Sequence, residues 1–267
     1  MNKISWISLF LISLFCTSVS TASTKCFIAK ENDFVLQQEG DCALRRSPCS
    51  TFKIAISLMG YNEQLLTNEI QPKFPYPENY QASLPQCQNA QTPTSWMQNS
   101  CVWYSQILTK QMGINIFKQY VSAFHYGNED LSGDLGKNNG LTNAWLSSSL
   151  KISPEEQLAF LDHLIHSTLP VTQHAQEMTR HILFLEEWPN GIKLYGKTGS
   201  GFLLNRDGSI NSERGIGWFI GWIEKGNKKI IFAHYIEDEQ KEDTFGGPRA
   251  KEAAKKKLLE ILKKHPL

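Results

Sequence analysis

The chain has almost no excess of charge of either sign: 27 Lys and Arg face 26 Asp and Glu over 267 residues, a formal +1. Without a basic surplus there is no electrostatic footprint for a phosphate backbone, so nucleic acid is set aside as a partner. Long apolar runs are also missing. The longest, near the N-terminus, falls short of the roughly 20 residues that a bilayer crossing needs. No Cys-x-x-Cys pair and no His-x-x-x-His accompanies the cysteines, which leaves a metal without a ligand set. Internal repeats and low-complexity tracts are absent too; the length suits one large domain or two small ones, and no linker forces a split. Hydrophobic residues make up 41 % and charged residues 20 %, an ordinary balance for a globular fold with a sizeable core.

What is present begins with an address. Lys3 precedes an apolar run from Ile4 to Cys16, and small residues follow from Thr17 to Ser23. This is the layout of a cleavable signal peptide, placed at residues 1–22, with residues 23–267 as the mature domain. Lipid attachment at Cys16 is disfavoured by the bulky Phe15 before it. The mature protein is then expected in the periplasm, with no stable membrane association after cleavage. Five cysteines remain, Cys26, Cys42, Cys49, Cys87 and Cys101. In an oxidising compartment an odd count implies one or two disulfides and a free thiol, and spacing leaves the pairing open.

Cys26 to Ala29 and Phe34 to Leu36 flank a polar turn and read as a hairpin. A helix is predicted from Ser50 through Met59, stopping at Gly60. Five prolines between residues 70 and 94 mark an extended loop. Trp96 to Met112 has helical spacing up to Gly113, and Ile116 to Phe124 follows. Ser153-Pro154-Glu155-Glu156 is a capping box with proline at the first helical position. A further helix is predicted over Gln173 to Glu187, then strands at Ile192 to Tyr195, Gly215 to Ile223 and Lys229 to Tyr235. The segment Gly201 to Arg214 reads as a loop. Pro248 to Lys264 closes the chain as a Lys-rich helix, with Ala253, Leu258, Leu259 and Ile261 offered to its buried side. Strands at both ends with helices between them predict an α/β (α+β) fold: an antiparallel sheet built from both chain ends, flanked by helices, with an inserted helical lobe. A cleft between sheet and lobe is a common place for a small-molecule site.

Four short motifs carry chemistry. In Ser50-Thr51-Phe52-Lys53 the i and i+3 side chains share a helix face, so Lys53 can approach the Ser50 hydroxyl. A serine becomes a nucleophile only when a base takes its proton, and a lysine is such a base only when neutral. A helix N-terminus at Ser50 adds free backbone N–H groups for an oxyanion. Lys197-Thr198-Gly199 ends a strand, offering a cation and a hydroxyl to an acidic substrate, with a second oxyanion donor near Ser200. Ser100-Cys101-Val102 and Tyr126-Gly127-Asn128 lie between these two. Each motif alone is commonplace; their order at wide spacing is not.

The set resembles the penicillin-recognising serine enzymes, whose Ser-x-x-Lys and Lys-Thr-Gly motifs it repeats. Within them it is similar to the class D, or oxacillinase-type, β-lactamases, which carry Ser-x-Val where class A carries Ser-Asp-Asn. The likeness extends through Ser95-Trp96-Met97, Val102-Trp103-Tyr104-Ser105, Trp145-Leu146 and Gly217-Trp218-Phe219-Ile220-Gly221-Trp222, across essentially the whole mature chain. The resemblance implies a β-lactam substrate and a Ser50 acyl-enzyme. It implies that Lys53 is carbamylated by CO2 to N6-carboxylysine and acts as general base, with no other cofactor. It further implies that the Trp145 indole steadies the carbamate, Val102 walls its pocket, and Ser100 relays a proton with support from Lys197. Thr198 and Arg249 would hold the substrate carboxylate. Cys49 and Cys101 depart from the commonest class D sequences. Two other readings share the scaffold: a β-lactam sensor domain or penicillin-binding peptidase that acylates without fast turnover, and a secreted binding protein without catalysis.

Overall fold

The computed structural model describes residues 23–80, 82 and 84–267, and the expected signal segment 1–22 lies outside them. Among the described residues six strands form one antiparallel sheet: β1 (Ser23–Glu31), β2 (Phe34–Gly40), β3 (Phe184–Trp188), β4 (Ile192–Leu204), β5 (Ile210–Lys225) and β6 (Lys228–Glu237), in the order β2-β1-β6-β5-β4-β3. The N-terminal hairpin therefore completes a sheet whose other strands come from the C-terminal part of the chain. Everything between β2 and β3 is the inserted lobe, as expected.

Strand periodicity places the two cores. Along β5, Trp218, Ile220 and Trp222 join the core under the lobe, while Phe219 and Ile223 join the core on the opposite face. Ile231, Ala233 and Tyr235 on β6 repeat the first set, and Ile230, Phe232 and Ile236 the second. A sheet buried on both faces reads as a nearly continuous apolar run, which is how these strands look in the sequence.

The lobe consists of α1 (Lys53–Asn62), α2 (Pro93–Asn99), α3 (Val102–Met112), α4 (Ile114–Ala123), the short α5 (Gly140–Asn143), α6 (Pro154–Ile165) and α7 (Gln173–Ile182). The last helix, α8 (Gly246–Lys264), covers the far face through Ala250, Ala254, Leu258 and Ile261. That stripe corrects the one predicted: Leu259 is 49 % exposed, because the helix presents the i, i+4, i+8 row to the sheet. The capping box at Ser153 forms, with both reciprocal hydrogen bonds in place.

Four boundaries differ from expectation for identifiable reasons. Gly60 does not stop α1; it lies in the helix where a Cβ would sit 3.0 Å from the Leu66 side chain, so it marks close packing. The single helix predicted over Trp96 to Met112 is two, broken at Ser100, whose backbone is left-handed (φ 61°, ψ 33°). The helix predicted to Glu187 ends at Ile182, and Phe184–Trp188 pairs with β4 as the edge strand. The loop predicted over Gly201 to Arg214 is largely a hairpin, with Leu203 paired to Asn211 and Leu204 to Ile210. In the last two cases pairing with β4 overrides a weak local signal.

Candidate active site

Ser50 stands on a single 3-10 turn, Cys49–Phe52, that runs directly into α1. The turn is tied down from behind. Thr51 donates its backbone N–H and its hydroxyl to Pro48 O at 3.2 and 2.7 Å. Gln157 on α6 donates to Thr51 Oγ1 at 3.0 Å, and Phe52 packs edge-on against Phe117 and Tyr126. With the turn fixed, Lys53 at i+3 reaches back and its Nζ lies 2.9 Å from Ser50 Oγ.

Lys53 is fully buried, and among the described residues it has no carboxylate partner. Burial, and then the neighbouring Lys197, hold its pKa well below the ordinary lysine value. Lys197, on β4, is held down to about 7 by burial and, secondarily, by Lys251. Its Nζ donates to Ser100 Oγ at 3.0 Å and to Thr198 O at 3.1 Å. The site thus contains two lysine–serine pairs, Lys53 with Ser50 and Lys197 with Ser100, brought together from α1, the α2–α3 break and β4.

The break between α2 and α3 is what aims Ser100 at Lys197. A left-handed residue there turns the chain between the two helices, and the next residue, Cys101, is bridged to Cys87. A second disulfide joins Cys26 to Cys42, and among the described residues Cys49 is the free cysteine, and it is buried. Val102 opens α3 and lines a recess of about 300 Å³ with Tyr80, Leu84, Ser100 and Gln106.

Strand β4 runs alongside the Ser50 turn at glycine distance. A Cβ at Gly199 would lie 2.8 Å from Pro48 O, and one at Gly201 would lie 2.5 Å from both Cys49 Sγ and Ser147 Oγ. Only glycine allows this approach. Ser147 Oγ accepts from Phe202 N–H at 2.9 Å, which pins the strand to the loop carrying Trp145. At the far side Ser200 Oγ accepts from Gly247 N–H at 2.9 Å, docking the start of α8 on the same strand.

Trp145 is fully buried with its ring on Phe52, the residue before Lys53, at a centroid distance of 5.6 Å. Its Nε1 is buried without a hydrogen-bond partner among the described residues, an uncommon state for an indole N–H. Arg249, in the first turn of α8, donates to both oxygens of Asp238 at 2.7 and 2.6 Å. The contacts that sequence reasoning missed are all between distant segments: Gln157 with Thr51, Ser147 with Phe202, and Asp238 with Arg249. Only Gly201 carried a local sign, as the last residue of Gly199-Ser200-Gly201. Among the described residues no group of His, Cys, Asp and Glu could hold a metal ion, and no helix is long and apolar enough to cross a membrane.

The comparisons with known proteins agree with this arrangement. The family model of the penicillin binding protein transpeptidase domain matches residues 22–259. The chain is 40 % identical over 218 residues to β-lactamase OXA-9 of Klebsiella pneumoniae, covering 81 % of this chain and 80 % of that one. It is 40 % identical over 228 residues to β-lactamase OXA-1 of Escherichia coli, covering 81 % and 79 %. The solved structure of the OXA-427 class D β-lactamase superposes with a TM-score of 0.85 at 41 % identity, over 91 % of this chain and 99 % of that one. With a fold, a motif order and relatives that all coincide, the chain belongs to the penicillin-binding transpeptidase family and, within it, to the class D β-lactamases.

Proposed function

We propose that the protein hydrolyses the β-lactam ring of penicillin-type antibiotics through a Ser50 acyl-enzyme, and so confers resistance to them. The observation that carries this reading is the buried Lys53 amine, 2.9 Å from Ser50 Oγ and without a counter-ion among the described residues. A lysine held neutral in this way is a base, and it is also nucleophilic toward CO2. Carboxylation joins Nζ to the CO2 carbon and releases one proton, which puts an acid–base group of N6-carboxylysine beside the serine. The buried Trp145 N–H, without a partner among the described residues, supports that modification, because it is a donor in need of an acceptor on the loop packed against Phe52.

In the cycle, Ser50 loses its proton to the base at Lys53 while its Oγ bonds to the lactam carbonyl carbon. The oxyanion rests on the backbone N–H groups of Ser50 and Ser200. The carbon–nitrogen bond then breaks as Ser100, held by Lys197, gives its proton to the leaving nitrogen and regains one from the protonated base at Lys53, which is thereby freed. Water activated at Lys53 attacks the ester, and Ser50 regains its proton as the product leaves. Thr198 and Arg249 hold the substrate carboxylate, Gly199 lets β4 approach the nucleophile, and Val102 walls the lysine's pocket. Export through residues 1–22 would place this activity in the periplasm, where β-lactams reach their targets.

Hydrolysis of a chromogenic β-lactam by the purified mature protein, before and after adding bicarbonate, tests the reading. Multiple turnovers that rise with bicarbonate are expected. A single burst that stops would instead mean acylation without release, as in a sensor domain or a penicillin-binding peptidase.

A further inference from the structure

The Arg249 guanidinium is the cation assigned above to the substrate carboxylate, yet it already holds a carboxylate. Nη1 and Nη2 donate to Oδ1 and Oδ2 of Asp238 at 2.7 and 2.6 Å, a fork-to-fork pair, and Nη2 also faces Thr244 O at 3.3 Å. The Asp238 side chain is only 4 % exposed, against 23 % for Arg249. Asp238 is also fixed in place. Its N–H donates to Gly215 O at 2.8 Å, and its own carbonyl accepts from Arg214 Nε at 2.7 Å. Its carboxylate fills the space over Gly215, where a Cβ would lie 2.3 Å from Oδ2. An incoming anion therefore cannot push Asp238 aside; it must share a guanidinium whose charge is already balanced. Glu242 faces the same arginine, and Glu242 and Asp243 line the recess beside Ser200 together with Asp238. Three carboxylates line that recess, and one of them, Asp238, is the partner of Arg249.

We propose that Asp238 is a positioning residue that acts through Arg249 to set specificity, weakening recognition of the substrate's carboxylate while leaving the acylation machinery untouched. The proposal rests on the assignment of Arg249 to the substrate carboxylate. Nature of the substrate's anionic group then matters less to this enzyme than an unpaired arginine would make it. Esters and amides of the β-lactam acid are penalised little, whereas the acid itself gains little.

The test is a steady-state comparison of the wild-type protein and Asp238→Asn on one penicillin and on its methyl ester. Asn keeps the shape and one acceptor for Arg249 but removes the charge. For the acid, KM is expected to fall about tenfold in Asp238→Asn with kcat nearly unchanged, the scale of one charge contact at a partly exposed site. For the ester, KM should stay as it is. In an Arg249→Ala background the Asp238→Asn effect on the acid should vanish. A KM for the acid that stays or rises, an equal change for the ester, or an effect that survives in the Arg249→Ala background overturns the proposal. The salt dependence of the wild-type protein gives an answer that needs no variant to fold: KM for the acid should not rise between low and high NaCl, and a rise would reveal a net attractive cation. Failure of every form to turn over any β-lactam would count against the hydrolase reading itself, while turnover with the wrong KM pattern counts against Asp238 alone.

Discussion

The two lysines beside Ser50 and Ser100 and the arginine at the start of α8 are treated in opposite ways by the same fold. Lys53 and Lys197 are buried among hydroxyl groups with no carboxylate partner among the described residues, and both are held far below the ordinary lysine value. Arg249, one-quarter exposed, is given a bidentate aspartate and is held above the ordinary arginine value by it. The proposed base has to be neutral to accept a proton or react with CO2, and burial beside a second cation favours that form. A guanidinium cannot be made neutral, so the chain tempers it with a counter-ion instead. On the proposed roles, charge is removed where chemistry occurs and balanced where binding occurs.

That contrast can be broken most strongly at Lys53. Lys53→Ala is expected to lower kcat by roughly 100- to 10,000-fold, the usual range for a general base, measured on a chromogenic β-lactam. Turnover within a few-fold of wild type would mean that the buried amine is structural. Trp145→Phe keeps the packing on Phe52 but removes the lone indole N–H. Losing a hydrogen bond to a charged group should cost roughly 10- to 100-fold in kcat without added bicarbonate, and saturating bicarbonate should restore part of it. A loss that bicarbonate does not touch would detach Trp145 from the modified lysine.

The third prediction concerns how Ser100 is held opposite Lys197. The Cys87–Cys101 bridge spans a sequence separation of 14 residues and ends next to Ser100. Cys87→Ser should lower unfolding stability in denaturant by about 3 kcal/mol, the loop-closure value for such a span. It should also lower kcat, because the left-handed turn at Ser100 loses its anchor. An unchanged kcat in a destabilised variant would show that Lys197 alone aims the hydroxyl.

The smallest expected effect is on stability against pH. Lys197 binds its proton near 7 in the folded protein and near 10.5 when free of it, so between those values the unfolded chain carries more protons. Stability therefore rises as pH increases from 7, and Lys53 adds in the same direction. Cys49 works the other way: burial pushes its thiol from 9.0 up to about 11, so above 9 the folded state retains a proton that the unfolded chain has lost. Thermal melts should rise from pH 7 to about 9; above that Cys49, joined by buried tyrosines whose phenols are held above their ordinary value, offsets the two lysines, so the rise should flatten and then reverse. A steady decline from pH 7 upward would contradict the neutral-lysine picture.

Much of the site was legible in the chain. Ser50 and Lys53 are three residues apart on one helical face, and Lys197, Thr198 and Gly199 are consecutive on a strand, so local geometry alone brings each group into register. The sheet from both chain ends, the helical lobe between them and the Ser153 cap follow from periodicity and capping chemistry, which are short-range. The break at Ser100 was not legible, because a left-handed serine has no sequence signal strong enough to interrupt a helical stripe. The disulfide pairing, the edge strand Phe184–Trp188 and the hairpin beyond Gly201 were also decided elsewhere, by cross-strand and cross-lobe neighbours.

The sequence by itself determined which chemical groups are available, in what order they occur and which of them share a face. Tertiary structure alone decided that Lys197 lies close enough to Lys53 to disfavour its charge, that the Trp145 N–H is buried without a partner among the described residues, and that Asp238 closes on Arg249. The physical reason is common to all three. Burial and Coulomb coupling depend on separation in space, and the residues concerned are set side by side by a sheet that joins the beginning of the chain to its end.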